Sequence, residues 1–218
     1  MHVRIIDVTG PMYHGMWSYG PPYPAVVVEE IPQPEFIQYP TYSWRFELGA
    51  QSGTYLETAL HLFRDGPPLV GVPVADLFMR DAAILRVPAQ PNQRLVAADL
   101  QACEVEINPG DAVIVATGWD AHWHQPDFVS DCPFFSYEAM RWILDRDPFL
   151  FAGDMPRFDS WQDPQGFFSE FFEQGVLLLA PLVNLGEVKG DRAKLVALPL
   201  KIEETCAAPC RVLIVEDG

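Results

Sequence analysis

Residues 49–63 read GAQSGTYLETALHLF and combine small, charged and apolar residues within one short segment. The small residues S-G-T predict a turn, which Tyr55, Glu57 and His61 follow. Successive side chains of a strand alternate between its two faces, so the even separations of these three residues predict that they share one face. The stretch therefore predicts an extended segment that presents a phenol, a carboxylate and an imidazole together.

Length and composition predict one compact domain that spans residues 1–218. The chain is 49% hydrophobic, which is ample for a core. No apolar run approaches the roughly 18 residues of a membrane span, and the first residues lack the long apolar region of a signal peptide. We therefore expect a cytoplasmic protein.

The charge of the chain limits its partners. The formal net charge is −16 at pH 7, and the sequence pI is near 4.5. Nucleic acids and anionic membrane surfaces are bound through basic patches, because positive charge must offset the phosphates. We expect neither as a partner, and a small molecule as the substrate.

Strand patterns dominate the sequence and predict an α/β domain with more strand than helix. β-branched and aromatic runs recur between Pro and Gly residues, as in HVRIIDV, YPAVVVEEI, YSWRFEL, AAILRVP, DAVIVA, VLLLA, KLVALPLKI and RVLIVED. Two helices are predicted. SYEAMRWILDRD has Ser136 as a plausible N-cap, and QGFFSEFFEQG is closed by Gly175.

The pair Cys206 and Cys210, in the run CAAPC, allows more than one interpretation. Three residues separate the two cysteines, whereas zinc pairs usually have two, and no second pair accompanies them. The flanking runs suggest two strands joined by a tight connection, across which the thiols would face each other. Oxidation would then give a disulfide, and a reducing compartment would leave two thiols.

Several motifs in their order along the chain resemble the cyclase-like superfamily, which includes bacterial kynurenine formamidases and isatin hydrolases. They are PGDAVIVATGWD, GDMP, LLLAPLVNL and LVALPLKI. The family signature H-x-G-T-H-x-D-x-P-x-H corresponds to QSGTYLETALH at residues 51–61. Members of that family are metal-dependent amide or lactam hydrolases. The resemblance implies a swivelling β/β/α fold and a homodimer or homotetramer.

The family's metal ligands are mostly replaced in this chain. In the family, the first two histidines and the aspartate of the signature bind metal, and the last histidine is the acid/base. A further histidine and glutamate complete the ligand set. The corresponding residues here are Gln51, Tyr55, Glu57, His61, Phe168 and Ala180. The resemblance therefore implies that only the acid/base histidine is unchanged.

These replacements argue against a two-metal site. Two neighbouring dications need anionic ligands, but one carboxylate remains, and Phe168 and Ala180 offer no donor atom. One ion held weakly by Gln51, Glu57 and His61 is the most that this set provides. We expect no cofactor, or at most one weakly bound divalent metal.

A usable acid/base set remains in Tyr55, Glu57 and His61. We predict that Glu57 and His61 act as general base and acid, that Tyr55 donates to a developing oxyanion, and that Gln51 positions the substrate. Cyclisation, dehydration, and hydrolysis of a lactone or an activated acyl group are within reach of such a set. The alternatives are a single-metal amide or lactam hydrolase resembling kynurenine formamidase, and a non-catalytic small-molecule binding protein.

Aromatic residues predict the substrate pocket and an interface. Trp17 and Tyr19 lie in MYHGMWSYGPPYP, which either lines the pocket or packs its own aromatics as a surface loop. Phe168 and its neighbours predict an apolar pocket for an aromatic or cyclic carbonyl compound, and Asp154 is predicted to orient the site. We also expect subunits to bury the aromatic N-terminal segment.

Overall fold

The computed structural model describes residues 3–217 of the chain. Its strands are β1 (Val3–Asp7), β2 (Val27–Ile31), β3 (Ser43–Glu47), β4 (Tyr55–Glu57), β5 (Arg80–Arg86), β6 (Arg94–Leu95), β7 (Ala112–Ala116), β8 (Phe134–Phe135), β9 (Leu150–Gly153), β10 (Leu177–Ala180), β11 (Arg192–Pro199) and β12 (Ala207–Asp217). Its α-helices are α1 (Ala97–Gln101), α2 (Tyr137–Leu144) and α3 (Phe168–Glu173). The predicted α/β class with more strand than helix is confirmed.

The main sheet is a closed barrel with one extra strand. Its order is β1-β12-β11-β5-β7-β9-β10-β4, and β4 also pairs with the beginning of β12. The strands β5, β7, β9 and β10 run parallel to one another, whereas all pairings that involve β1, β4, β11 or β12 are antiparallel. The parallel strands are nearly continuous apolar runs, as expected for strands that are covered on both faces.

Alternating side chains divide the core into two clusters, one on each face of the sheet. In β7, Val113 and Val115 pack with residues of α2 and α3, and Ile114 packs in the other cluster. In β4, Tyr55 faces the helices and Leu56 faces the second cluster. The short β4 thus points the alternate residues Tyr55 and Glu57 towards the side that carries the helices.

The predicted start of α2 at Ser136 and the predicted end of α3 at Gly175 are confirmed. The backbone N–H of Ala139 donates to the Ser136 hydroxyl at 3.1 Å, which caps α2. Gly175 follows α3 with φ of 74°, a left-handed conformation that glycine adopts without a steric penalty. The longest helix among residues 3–217 has eight residues, and none is long and apolar enough to cross a membrane.

The cysteines do not form the suggested disulfide, because all four are free. The connection between β11 and β12 is a loop over residues 200–206, not a tight turn. Cys206 ends this loop and packs against the helix-side cluster, whereas Cys210 lies within β12 in the other cluster. The two thiols therefore lie on different faces of the sheet.

A two-stranded ribbon, β2 paired with β3, and the loop between its strands carry five exposed aromatic side chains. They are Phe36, Tyr39, Tyr42, Trp44 and Phe46. The N-terminal segment at residues 13–23 is more covered, since Met16 is buried and Trp17 and Tyr19 are half-buried against the core. That subunits bury this segment stays a prediction, and the ribbon exposes more aromatic surface than the segment does.

Candidate active site

A cavity of about 480 Å³ opens beside β4, α3 and the loop after β9. Its apolar walls come from Tyr23, Phe158, Trp161, Phe168, Phe172 and Leu178. Its polar residues include Gln51, Glu57, His61 and Arg157. The volume is in the range of small-molecule sites, and the mixture of apolar walls with few polar groups is typical of them.

The backbone holds β4 on both sides, which fixes Tyr55 and Glu57. Tyr55 pairs with Ala180 of β10 and with Pro209 of β12, so the replaced ligand positions 55 and 180 are direct neighbours. Before β4, the Thr54 hydroxyl donates to the Pro181 carbonyl oxygen at 2.6 Å. Sheet pairing and the Thr54 hydrogen bond therefore fix the position of β4, which forms one wall of the cavity.

His61 is placed in the site by a turn, not by the extended strand that the sequence predicted. The strand ends at Glu57, and Ala59–His61 forms a 3-10 turn, so the prediction of one extended face through His61 is wrong. The His61 backbone N–H donates to the Thr58 carbonyl oxygen at 3.0 Å. The turn brings His61 Nδ1 to 3.0 Å from Glu57 Oε1, so the two side chains still meet.

The amide of Gln51 lies among the remaining polar groups. Its Nε2 donates to Glu57 Oε1 at 2.8 Å and lies 3.3 Å from His61 Nδ1. The same nitrogen is 3.9 Å from Cys206 Sγ. An uncharged donor thus occupies a central position among groups that a cation would otherwise contact.

Burial shifts the proton affinities of the central pair in opposite directions. Glu57 is only 3% exposed, and desolvation raises its pKa to about 7, although the Gln51 hydrogen bond opposes the shift. Desolvation also lowers the pKa of His61, so the imidazole is neutral near pH 7. Near neutral pH, Glu57 therefore exchanges readily between carboxyl and carboxylate beside a neutral imidazole, as general acid/base work requires.

Two tyrosine hydroxyls adjoin this pair. The Tyr19 hydroxyl donates to the Pro156 carbonyl oxygen at 2.7 Å and lies 3.2 Å from the Tyr55 hydroxyl. Because Tyr19 has used its one proton, the bond between the hydroxyls takes its proton from Tyr55. Burial raises the pKa of both tyrosines well above 10, so both stay neutral. Tyr55 can donate to a substrate only if it turns from Tyr19.

Two predicted substrate-binding residues lie outside the cavity. Trp17 packs against Trp123 and Phe128, with ring centroids 5.2 and 5.0 Å away. Asp154 is fully buried, and its carboxylate accepts hydrogen bonds from the backbone N–H groups of Thr117 and Gly118. These contacts join the end of β7 to the end of β9, so Asp154 supports the scaffold. Neither residue lines the cavity, so the predicted roles of Trp17 in the pocket and of Asp154 in orienting the site stay predictions.

Cys206 joins the site although its pattern in the sequence suggested a disulfide. One ligand atom each from Glu57, His61 and Cys206 lies within 4.8 Å of the others, a set that could hold one metal ion. Burial, reinforced by the negative charge of Glu57, raises the pKa of the Cys206 thiol. The thiol is therefore protonated at neutral pH unless an ion displaces its proton.

A two-metal centre does not fit the residues present. Phe168 and Ala180 line the cavity at the two other positions that the resemblance assigns to metal ligands, and neither has a donor atom.

Arg157 also lines the cavity and was not predicted, because only Asp154 was singled out in this part of the sequence. No local pattern marked Arg157 or Cys206, since each meets the site only through folding.

Comparison with solved structures identifies the same fold in several enzymes. Isatin hydrolase A from Labrenzia aggregata, bound to benzyl benzoate, superposes with a TM-score of 0.85 at 19% identity, covering 99% of this chain and 94% of that one. Isatin hydrolase A from Ralstonia solanacearum gives 0.84 at 21% identity, covering 99% and 92%. A protein described as a predicted metal-dependent hydrolase from Bacillus stearothermophilus gives 0.80 at 24% identity, covering all of both chains. Identities this low establish the fold alone, and they confirm the predicted cyclase-like fold.

Sequence comparison gives the family. No curated protein shows significant sequence similarity to the chain. The Cyclase family model, described as "Putative cyclase", matches residues 6–160, which include β4, the 3-10 turn of His61 and the Asp154 contacts. With more than half of its length matched and the cavity in place, this chain belongs to the Cyclase family.

Proposed function

We propose that the chain is an enzyme that acts on a small aromatic or cyclic carbonyl compound by general acid/base catalysis without a metal. One observation carries the proposal most directly. Glu57, with a pKa raised to about 7, lies 3.0 Å from the neutral imidazole of His61 at the wall of an apolar cavity. A pKa near the working pH gives a group both a useful protonation state and a useful affinity for the transferred proton.

The reaction class follows from what these residues can move. As a carboxylate, Glu57 removes a proton from a carbon next to a carbonyl or from an attacking hydroxyl group. Glu57 then passes this proton to Nδ1 of His61, 3.0 Å away, while the N–H on the other nitrogen of the imidazole gives its proton to the leaving oxygen. Gln51 keeps Glu57 oriented through its 2.8 Å hydrogen bond. Tyr55 donates to the developing oxyanion after turning from Tyr19. Cyclisation, dehydration, and hydrolysis of a lactone or activated acyl group all use these proton transfers.

The apolar walls support an aromatic or cyclic substrate. Phe168 and Phe172 stack with ring centroids 6.0 Å apart and an angle of 19° between their planes. Ala180 and Leu178 of β10 complete this side of the cavity. Flat aromatic walls favour flat ligands, because they bury the most surface against such a shape.

A second candidate, an amide or lactam hydrolase with one metal ion, is favoured by the cluster of Glu57, His61 and Cys206. These three residues would hold the ion, which would polarise a carbonyl and lower the pKa of a bound water. Solved structures with this fold include isatin hydrolases and a protein described as a predicted metal-dependent hydrolase. The hydrogen bond between Gln51 and Glu57 and the protonated Cys206 thiol argue against this candidate, because an ion would have to displace both the amide and the thiol proton.

The metal content of the purified protein separates the two candidates. We expect less than one equivalent of zinc or manganese per chain by plasma emission, and no loss of activity in EDTA. Titration with Co²⁺ is the sharper assay, because a thiolate ligand gives a charge-transfer band in the near ultraviolet. A stoichiometric band that disappears in Cys206→Ser would establish the one-metal candidate instead.

Substitutions at the central pair test the acid/base role. The wild type is first screened against aromatic lactones, formamides and hydroxy acids. With a substrate that turns over, Glu57→Gln and His61→Ala should each lower kcat by about 10²–10⁴-fold, the usual effect of losing a proton-transfer group. Glu203→Gln, at an exposed glutamate, is the matched control. Wild-type rates in both site variants would refute the proposal.

A further inference from the structure

One charged group of the cavity has no role in the chemistry proposed above. Arg157 lies in the cavity wall and is half-buried. It follows Pro156, whose carbonyl oxygen accepts from Tyr19, and Tyr19 in turn contacts Tyr55. The backbone next to Arg157 is therefore linked to β4 through the tyrosine pair, at the same cavity as the acid/base residues.

The Arg157 guanidinium is held rigidly by backbone carbonyl oxygens. Its Nε donates to Val129 at 2.8 Å, and its two terminal nitrogens donate to Asp159 at 2.9 Å and Ser130 at 3.0 Å. A guanidinium has five N–H groups, so one remains on each terminal nitrogen. N–H groups on the two terminal nitrogens of an arginine can bind the two oxygens of one carboxylate.

The positive charge of Arg157 is not neutralised by a neighbouring carboxylate. Among residues 3–217, no carboxylate forms an ion pair with this guanidinium. The nearby Asp159 carboxylate also lines the cavity, but it accepts from the backbone N–H groups of residues 160, 165 and 166. In a chain of net charge −16, an unpaired arginine in a cavity wall is notable.

The remaining face of the guanidinium is covered by an aromatic ring. The Arg157 Cζ lies 4.2 Å from the ring centroid of Trp161, which is 59% exposed and also lines the cavity. This contact restricts the guanidinium further and leaves its edge as the available part. Trp161 also supplies a fluorescent reporter next to the charge.

We infer that the substrate carries a carboxylate, which Arg157 binds through its two remaining N–H groups. The inference rests on the proposed function, because it assigns the substrate class of the same cavity. It narrows that class to aromatic or cyclic carbonyl compounds with a negative charge. Arg157 then fixes which end of the substrate faces Glu57 and His61.

Binding of two ligands of the same shape, one charged and one neutral, tests this inference without any need for turnover. The probes are 2-naphthoate and 2-naphthamide, measured by quenching of tryptophan fluorescence and by calorimetry. We expect the wild type to bind the naphthoate about tenfold or more tightly than the naphthamide, as a charge-assisted pair allows. Arg157→Gln should remove this preference and change naphthamide binding by less than about twofold.

Arg146 offers a matched control. It stacks on Trp142 at 3.5 Å and donates to the Trp142 carbonyl oxygen, but it is not part of the cavity wall. Arg146→Gln should leave the affinities for both probes unchanged. Arg157→Lys, which keeps the charge and loses the paired donors, should retain only part of the preference and serves if the Gln variant does not fold.

The outcomes separate this inference from the proposed function. Equal binding of both probes by the wild type, or tighter binding of the naphthamide, overturns the role of Arg157 and leaves an aromatic-binding cavity. An equal loss of both affinities in Arg157→Gln, with Arg146→Gln unaffected, also overturns it. Failure of both probes to bind at millimolar concentration would count against the carboxylate and the aromatic substrate together.

Discussion

Glu57 differs from an exposed glutamate because the fold removes water from its carboxyl group without providing a cation. Its one strong partner is the neutral amide of Gln51, and His61 beside it has its pKa lowered by burial. The carboxyl therefore keeps its proton to about pH 7. The same desolvation that makes Glu57 reactive makes its charged form unfavourable for folding.

The stability of the protein should accordingly depend on pH through Glu57. Its pKa is about 7 in the folded state against the ordinary 4.5, so the folded state binds the proton more tightly. This contribution to stability is complete below pH 4.5 and is lost as the pH rises towards 7, by roughly 3 kcal/mol in all. Urea denaturation at pH 5 and pH 8 should show Glu57→Gln gaining stability relative to wild type at the higher pH.

Comparing wild type with Glu57→Gln isolates the contribution of Glu57 to the pH dependence of stability. Asp154 is also buried, with a pKa raised to about 6, but it contributes equally to wild type and variant and cancels. Glu203→Gln again provides the exposed control. If the stability difference between Glu57→Gln and wild type is the same at both pH values, the carboxyl is not desolvated as described.

At the scale of the element, β4 is a three-residue strand whose preceding turn depends on Gly53. This glycine has φ of 64°, and a Cβ atom there would lie 2.8 Å from Cγ of Met12. Positive φ is strained for any residue with a Cβ atom. The turn therefore accepts little else at this position.

Replacing Gly53 should destabilise the turn before β4 and with it the folded protein. We expect Gly53→Ala to lower the free energy of unfolding by about 1–2 kcal/mol, from backbone strain and the Met12 contact. Thermal denaturation measures the change. Gly186→Ala is the control, because Gly186 has ordinary φ and open space around its Cα. An equal and small loss in both variants would mean that the turn is not strained.

Elements were predictable where the signal is local. The strands of the sheet and the Ser136 cap of α2 follow from apolar alternation and from a side chain next to the helix it caps. The turn at Ala59–His61 was not predictable, because the letters T-A-L-H fit a strand as well as a 3-10 turn. Gln51, Glu57 and His61 were found from a short motif, whereas Arg157 and Cys206 come from distant parts of the chain.

At the scale of the whole molecule, the β2–β3 ribbon leaves one aromatic face uncovered. Val28 pairs with Phe46 and Glu30 with Trp44, so alternation places Trp44 and Phe46 on the same face. Trp44 is 55% exposed and Phe46 66%. Contiguous exposed aromatics of this kind mark surfaces that bind another protein.

We propose that the ribbon is covered by a second copy of the chain, in a homodimer or homotetramer. Light scattering at micromolar concentration should then give a mass at least twice the 24.5 kDa of one chain. The double variant Trp44→Ser with Phe46→Ser should lower the mass to that of one chain. A wild-type mass of 24.5 kDa would refute the assembly, and a variant that stays oligomeric would place the interface elsewhere.

The double pairing of β4 has a consequence for how this site could have changed over time. Its backbone is bonded to β10 on one side and to β12 on the other, so no bound ion is needed to keep Tyr55 and Glu57 in place. Substitutions in the cavity wall, at positions such as Phe168 and Ala180, can therefore accumulate one at a time without unfolding the barrel. A lineage with such a scaffold can abandon one chemistry and test another while every intermediate remains folded.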